Sequence, residues 1–66
     1  MEPEICRGFE VWGHAIPQDG RYGASGPITS GPKLIEGSGV LATYDTADEA
    51  RAVGHSWARA WVDTNG

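Results

Sequence analysis

Tyr44-Asp45-Thr46-Ala47-Asp48-Glu49-Ala50-Arg51, continuing to Trp61, reads in order as a strand end, a helix start and a helix. Thr46 and Glu49 stand at capping-box spacing, in which the hydroxyl accepts from the Glu49 amide and the carboxylate reaches back to the Thr46 amide. That places the helix start at Ala47. Ala50, Val53, Gly54, Trp57 and Trp61 then recur at i, i+3, i+4, i+7 and i+11, one apolar stripe carrying two indoles. The spacing predicts a helix over about 47–62, with Trp57 and Trp61 as core anchors and Asn65-Gly66 as the stop. Asp48 and Glu49 in the first turn and Arg59 near the other end suit the helix dipole. Asp48, Arg51, Ala52, His55 and Arg59 form the opposite, solvated face.

A helix of this kind buries its stripe only against another layer, and what precedes it supplies strands. Ile5 to Ile16 reads as a first strand with Phe9 and Val11 facing the core, so that Glu10, Trp12 and His14 face away. In Pro17-Gln18-Asp19-Gly20, proline presets φ, aspartate bonds its own backbone and glycine takes the positive φ of a hairpin turn. Arg21 to Thr29 returns as a second strand with Tyr22, Ala24 and Ile28 on the inner parity, and Pro27 lies at an edge or outside the ladder. Beyond the break at Ser30-Gly31-Pro32, the runs Lys33–Glu36 and Val40–Tyr44 flank Gly37-Ser38-Gly39, as a short hairpin or as one irregular strand. Ten glycines leave the register between residues 23 and 40 weakly specified. The expected fold is α+β, an antiparallel sheet of three to four strands within 5–44 packed on one C-terminal helix, residues 1–66 forming a single domain.

Size and composition bound the function. A chain of 66 residues lies near the lower limit for a self-sufficient core. The single cysteine, Cys6, excludes an intramolecular disulfide and favours a reducing, cytoplasmic setting. Dimerisation is an alternative source of burial, so monomer and homodimer are both open. The acidic Met1-Glu2-Pro3-Glu4 start has no apolar h-region and predicts neither a signal peptide nor a membrane span. Nine acidic against five basic residues, a net charge of −4, oppose nonspecific attraction to phosphate and anionic lipid.

The residues offer no catalytic setting. Ser25, Ser30, Ser38 and Ser56 lack a Gly-x-Ser-x-Gly frame, and Cys6 has no identifiable base. Cys6, His14 and His55 show no zinc-ligand spacing, and the glycine runs do not form a phosphate loop. No catalytic residue, metal or cofactor is expected. The solvent face of the sheet is the better place for function: Trp12, His14, Arg21 and Arg7 on one surface would suit stacking, cation–π contact or phosphate pairing. The reading opposed to this is that Trp12 merely covers the open side of a thin sheet.

Three segments carry a family resemblance. Arg7-Gly8-Phe9 is similar to an Arg-Gly-Val opening, Gly20-Arg21-Tyr22-Gly23-Ala24 to a Gly-Lys-Trp-x-Ala strand, and Thr43 to Ala50 to a Gly-x-Phe-x-Thr-x-Glu-Glu-Ala junction. Together, from Arg7 to about Arg59, the chain resembles the DNA-binding domain of plant ethylene-response factors, a layout open also to small bacterial proteins outside that family. The resemblance implies a three-stranded sheet on a C-terminal helix and DNA recognition from the exposed sheet face. Carried over, that role falls on Arg7, Arg21 and Tyr22. Two further arginine positions of the family fall on Glu10 and Trp12, which removes charge and adds repulsion toward phosphate.

The expected function is therefore a non-enzymatic accessory or regulatory module that binds a macromolecule, a protein in preference to nucleic acid, through the exposed sheet face or an edge strand. The candidate binding residues are Arg7, Trp12, His14, Arg21 and Tyr22. Nucleic-acid binding by the same face and a homodimerising structural module are the alternatives.

Overall fold

The computed structural model describes residues 3–65. Seven strands, β1 (Glu4–Cys6), β2 (Phe9–Val11), β3 (His14–Gln18), β4 (Arg21–Ser25), β5 (Pro27–Ser30), β6 (Lys33–Gly37) and β7 (Thr43–Tyr44), precede one helix, α1 (Ala47–Asn65). They form two antiparallel sheets, ordered β1-β2-β5-β6 and β3-β4-β7, against which the helix packs. The α+β layout is as the sequence predicts, with one difference of form. The meander consists of three long strands, 9–18, 21–30 and 33–44, each broken midway, and the breaks split one sheet into two.

Tight turns set the register. Asp19 and Gly20 both have positive φ, 48° and 81°, the signature of a two-residue type I′ hairpin between β3 and β4. Pro17 and Gln18 belong to the strand rather than the turn. Gly31, at φ 60° and followed by Pro32, closes β5 onto β6 with a positive φ at the first central position only, as a II′ turn requires.

The first strand departs from expectation. Ile5–Ile16 is not continuous: Arg7 and Gly8, at φ 52° and 84°, form another two-residue turn that folds β1 back along β2, with Cys6 opposite Phe9. An arginine in the left-handed region is uncommon, and Arg-Gly is a weaker turn signal than Asn-Gly or Asp-Gly. The fold-back reverses the parity of what precedes it, so Ile5 lies opposite Glu10 on the outer face while Cys6 packs inward with Phe9. From Phe9 onward the alternation holds. Val11 is fully buried, Phe9 packs half-buried against it, and Glu10, Trp12 and His14 lie on the other parity.

Residues 33–44 form one irregular strand, not a hairpin. β6 pairs with β5 and β7 with β4, and between them Ser38 Oγ accepts the Gly26 N–H at 2.8 Å while Leu41 and Ala42 bond to Ala24. A bulge beside Ile28 and Thr29 turns Ile35 toward the core.

The Glu49 N–H donates to Thr46 Oγ1 at 3.2 Å, making the hydroxyl half of the expected capping box at the helix start. At the other end the helix runs three residues past Val62, to Asn65, whose side-chain amide donates to the Trp61 carbonyl at 3.1 Å. Arg59 consequently sits outside the last turn, which carries no basic residue. Gly66, the other half of the expected stop, lies outside the described residues.

The buried ridge of the helix is Ala50, Gly54, Ala58 and Val62, an i, i+4 series rotated from the expected stripe. Trp57 and Trp61 are half-buried and flank the core of Val11, Ile28, Ala58 and Val62. The cause is close approach. A side-chain carbon at Gly13 would overlap the Arg51 carbonyl, one at Gly26 the Gly54 carbonyl, and one at Gly54 the Ser25 carbonyl. Helix backbone rests on strand backbone at the two bends, leaving no room there for an indole. The rotation also turns His55 and Arg59 toward β1, where both meet the Glu4 carboxylate, at 2.8 and 3.7 Å, instead of facing solvent alone.

In an ordinary helix interior Gly→Ala stabilises by about 1 kcal/mol. Gly54→Ala should do the reverse, because overpacking against unyielding backbone costs about 1–3 kcal/mol. Its melting temperature, followed by circular dichroism, should fall; a rise would show that the helix does not sit on the strands as described.

Candidate binding face

In a two-layer fold one sheet face is left without a covering layer, and register decides what it presents. Ile5 lies opposite Glu10, Glu10 opposite Thr29 and Thr29 opposite Leu34, so these four residues cross β1, β2, β5 and β6 in one transverse row. Ile5 is 64% and Leu34 63% exposed, two large apolar side chains held in water at the ends of the row.

Between them the polar groups are connected. The Thr29 hydroxyl donates to Glu10 Oε1 at 2.8 Å and accepts the Trp12 indole N–H at 2.9 Å. Trp12 reaches Thr29 as a diagonal neighbour, two residues beyond the directly opposite Glu10 and just past the end of β2. His14 stacks on Trp12, with ring centroids 6.0 Å apart and planes at 24°. An indole, a hydroxyl, a carboxylate and an imidazole are thus held in fixed relation. Beside them, toward the edge of β3, Trp12, Gly13, His14, Ala15 and Arg51 line an open cleft of about 350 Å³.

Of the sequence candidates, Trp12 and His14 come together and the other three lie apart. Arg7 sits in the β1–β2 turn beside Asp63 at 3.8 Å, near the end of α1. Arg21 sits beside Asp45 at 3.4 Å, before the helix begins, and donates to the Thr43 carbonyl at 3.3 Å. The sixteen helical residues 47–62 between those two aspartates amount to roughly 24 Å, so the two arginines mark opposite ends of the molecule. The shared surface of Arg7, Arg21, Trp12 and His14 is therefore not formed. Tyr22 lies half-buried on the inner parity, opposite Pro17 and Tyr44.

Every arginine has a carboxylate within 4 Å: Arg7 with Asp63, Arg21 with Asp45, Arg51 with Asp48 and Arg59 with Glu4. Lys33, at the β5–β6 turn, is the one basic side chain for which no such partner occurs among the described residues. Among the same residues Glu10 accepts from one neutral donor, the Thr29 hydroxyl. No three His, Cys, Asp or Glu residues are placed to hold a metal ion among the described residues, and no helix is long and apolar enough to cross a membrane.

Thr29, Ile5 and Leu34 escaped the sequence reading. Thr29 matters only through its register against Glu10, and Ile5 only through the parity reversal at Arg7-Gly8. An isolated alternation pattern holds neither. Comparison with known proteins found no matching family model, curated protein or solved structure.

Thr29→Val keeps the shape and removes the hydroxyl that joins Trp12 to Glu10. Two hydrogen bonds at about 0.5–1.5 kcal/mol each are at stake in a half-buried setting. A loss of about 1 kcal/mol, or roughly 4–8 °C in Tm for a domain of this size, is expected. An unchanged melt would show that the network does not hold this face together.

Proposed function

We propose that this chain is a non-enzymatic binding module whose outer sheet face docks an apolar polypeptide segment carrying a lysine or arginine. The observation that carries the reading is the transverse row: two exposed aliphatic side chains on either side of a carboxylate that is oriented by a threonine and has no cation beside it among the described residues. Exposed apolar surface on a small domain favours a partner that covers it, and a fixed, uncompensated carboxylate favours one that brings positive charge. The stacked Trp12–His14 pair extends the face with flat, rigid surface that costs little ordering on contact. A cytoplasmic setting accords with the single unpaired cysteine.

Direct nucleic-acid binding is the weaker reading of the same face. It needs cations free to meet phosphate, whereas the arginines are paired and Glu10 occupies the middle of the row. The likeness to the ethylene-response-factor domain therefore supplies a layout for this proposal rather than its chemistry.

The test is selection from a random peptide display library on the immobilised protein, followed by titration of the enriched peptides. Sequences combining aliphatic and basic residues should emerge, and Leu34→Glu and Glu10→Gln should each weaken them about 10-fold or more. The reading fails if no peptide is enriched, or if binding ignores both substitutions. It fails equally if the protein instead binds a DNA duplex at micromolar concentration with an affinity that falls steeply with salt.

A further inference from the structure

Among the described residues no strand pairs with the outer edge of β3, and the hydrogen-bonding phase of that edge can be fixed from the other side of the sheet. The Ala24 N–H donates to the Ala42 carbonyl at 2.9 Å, and the Ala24 carbonyl accepts from Leu41 at 2.8 Å, so both Ala24 groups point away from β3. Ala15 lies directly opposite Ala24. In an antiparallel ladder such a pair is the non-hydrogen-bonded kind, and the N–H and C=O of Ala15 must point to the free edge. Gly13 and Pro17, two positions either way, share that phase. The Trp12 N–H donating inward to Pro27 at 3.1 Å agrees with it, and so does a proline whose missing donor would have faced outward. β3 is the terminal strand of its sheet.

From this edge we infer that a second copy of the chain docks by antiparallel pairing of β3 with β3 about a two-fold axis at Ala15. The register is self-complementary. The Ala15 N–H of each copy meets the Ala15 carbonyl of the other, and each Gly13 N–H meets the carbonyl of the second copy's Pro17, giving four bonds in which no proline is asked to donate. On the outer face His14 of one copy becomes the cross-strand neighbour of Ile16 of the other, covering an isoleucine that is 39% exposed in the single chain. The same pairing carries the Asp19 turn of one copy past Gly13 of the other, on the side of the cleft that Arg51 helps to line.

Size supplies the reason for a second copy. Val11, Ile28 and Val62 are the largest fully buried side chains, the chain holds one cysteine, and no metal-ligand group exists among the described residues. A domain so small gains most from joining its sheet to another. This surface is the strand edge, distinct from the Ile5–Leu34 row, so either proposal can fail without the other.

Sedimentation equilibrium of the full chain tests it. Twice the monomer mass of 7.0 kDa is expected at about 100 μM. Ala15→Pro deletes the central donor, which the single chain does not use, and Ile16→Lys places charge on the paired edge. Each should raise the dimer dissociation constant about 10-fold or more, while circular dichroism of Ile16→Lys retains the native spectrum should Ala15→Pro fail to fold. A wild-type monomer at that concentration would overturn the inference. So would a dimer that withstands Ile16→Lys and dissociates instead with Leu34→Glu.

Discussion

The helix lies on the sheet backbone to backbone, and most of the architecture is arranged to permit it. Gly13 and Gly26 are the points at which the first and second long strands bend, and each meets a helix carbonyl; Gly54 is the helix position that meets Ser25 in return. Without side chains at these places the layers approach closely enough for the small residues Ala50 and Ala58 to be fully buried. Close packing gains dispersion from many atoms at once, which partly compensates for a core with few large residues. The same glycines break the ladder, which explains why one meander has become two sheets.

That contact also explains how the sequence misleads. A stripe drawn from hydrophobicity places Trp57 and Trp61 at the centre, since indoles bury the most area. Geometry prefers the row that lets backbones touch, and glycine and alanine carry little weight in a hydrophobic pattern. The cap at Thr46 and the turn at Asp19-Gly20 are legible because each is a local device with its own chemistry. The turn at Arg7-Gly8 is not, because arginine adopts the left-handed conformation only where its surroundings hold it there. On the candidate face, Trp12 and His14 follow from simple alternation, whereas Thr29 depends on a register that spans two glycine-rich breaks.

The outer face owes its order to one hydroxyl. Thr29 is acceptor to an indole and donor to a carboxylate, a role that neither serine's freer rotamer nor valine's methyl would fill in the same way. Through it the two sides of the sheet have different characters: inside, a thin apolar layer set by glycine contacts; outside, a polar network framed by aliphatic side chains. Binding proposed for the outer surface draws on residues that the helix contact leaves unused.

The pairing of every arginine with a neighbouring carboxylate has an effect beyond each pair. Opposite charges a few ångströms apart cancel as seen from a distance, so the field reaching into solvent is that of the acids left over, Glu10 among them. An approaching cationic molecule is drawn in before any contact forms, and an anionic one is turned away. Beyond about 8 Å, physiological salt damps this guidance, so it acts on the rate of encounter more than on the strength of the complex.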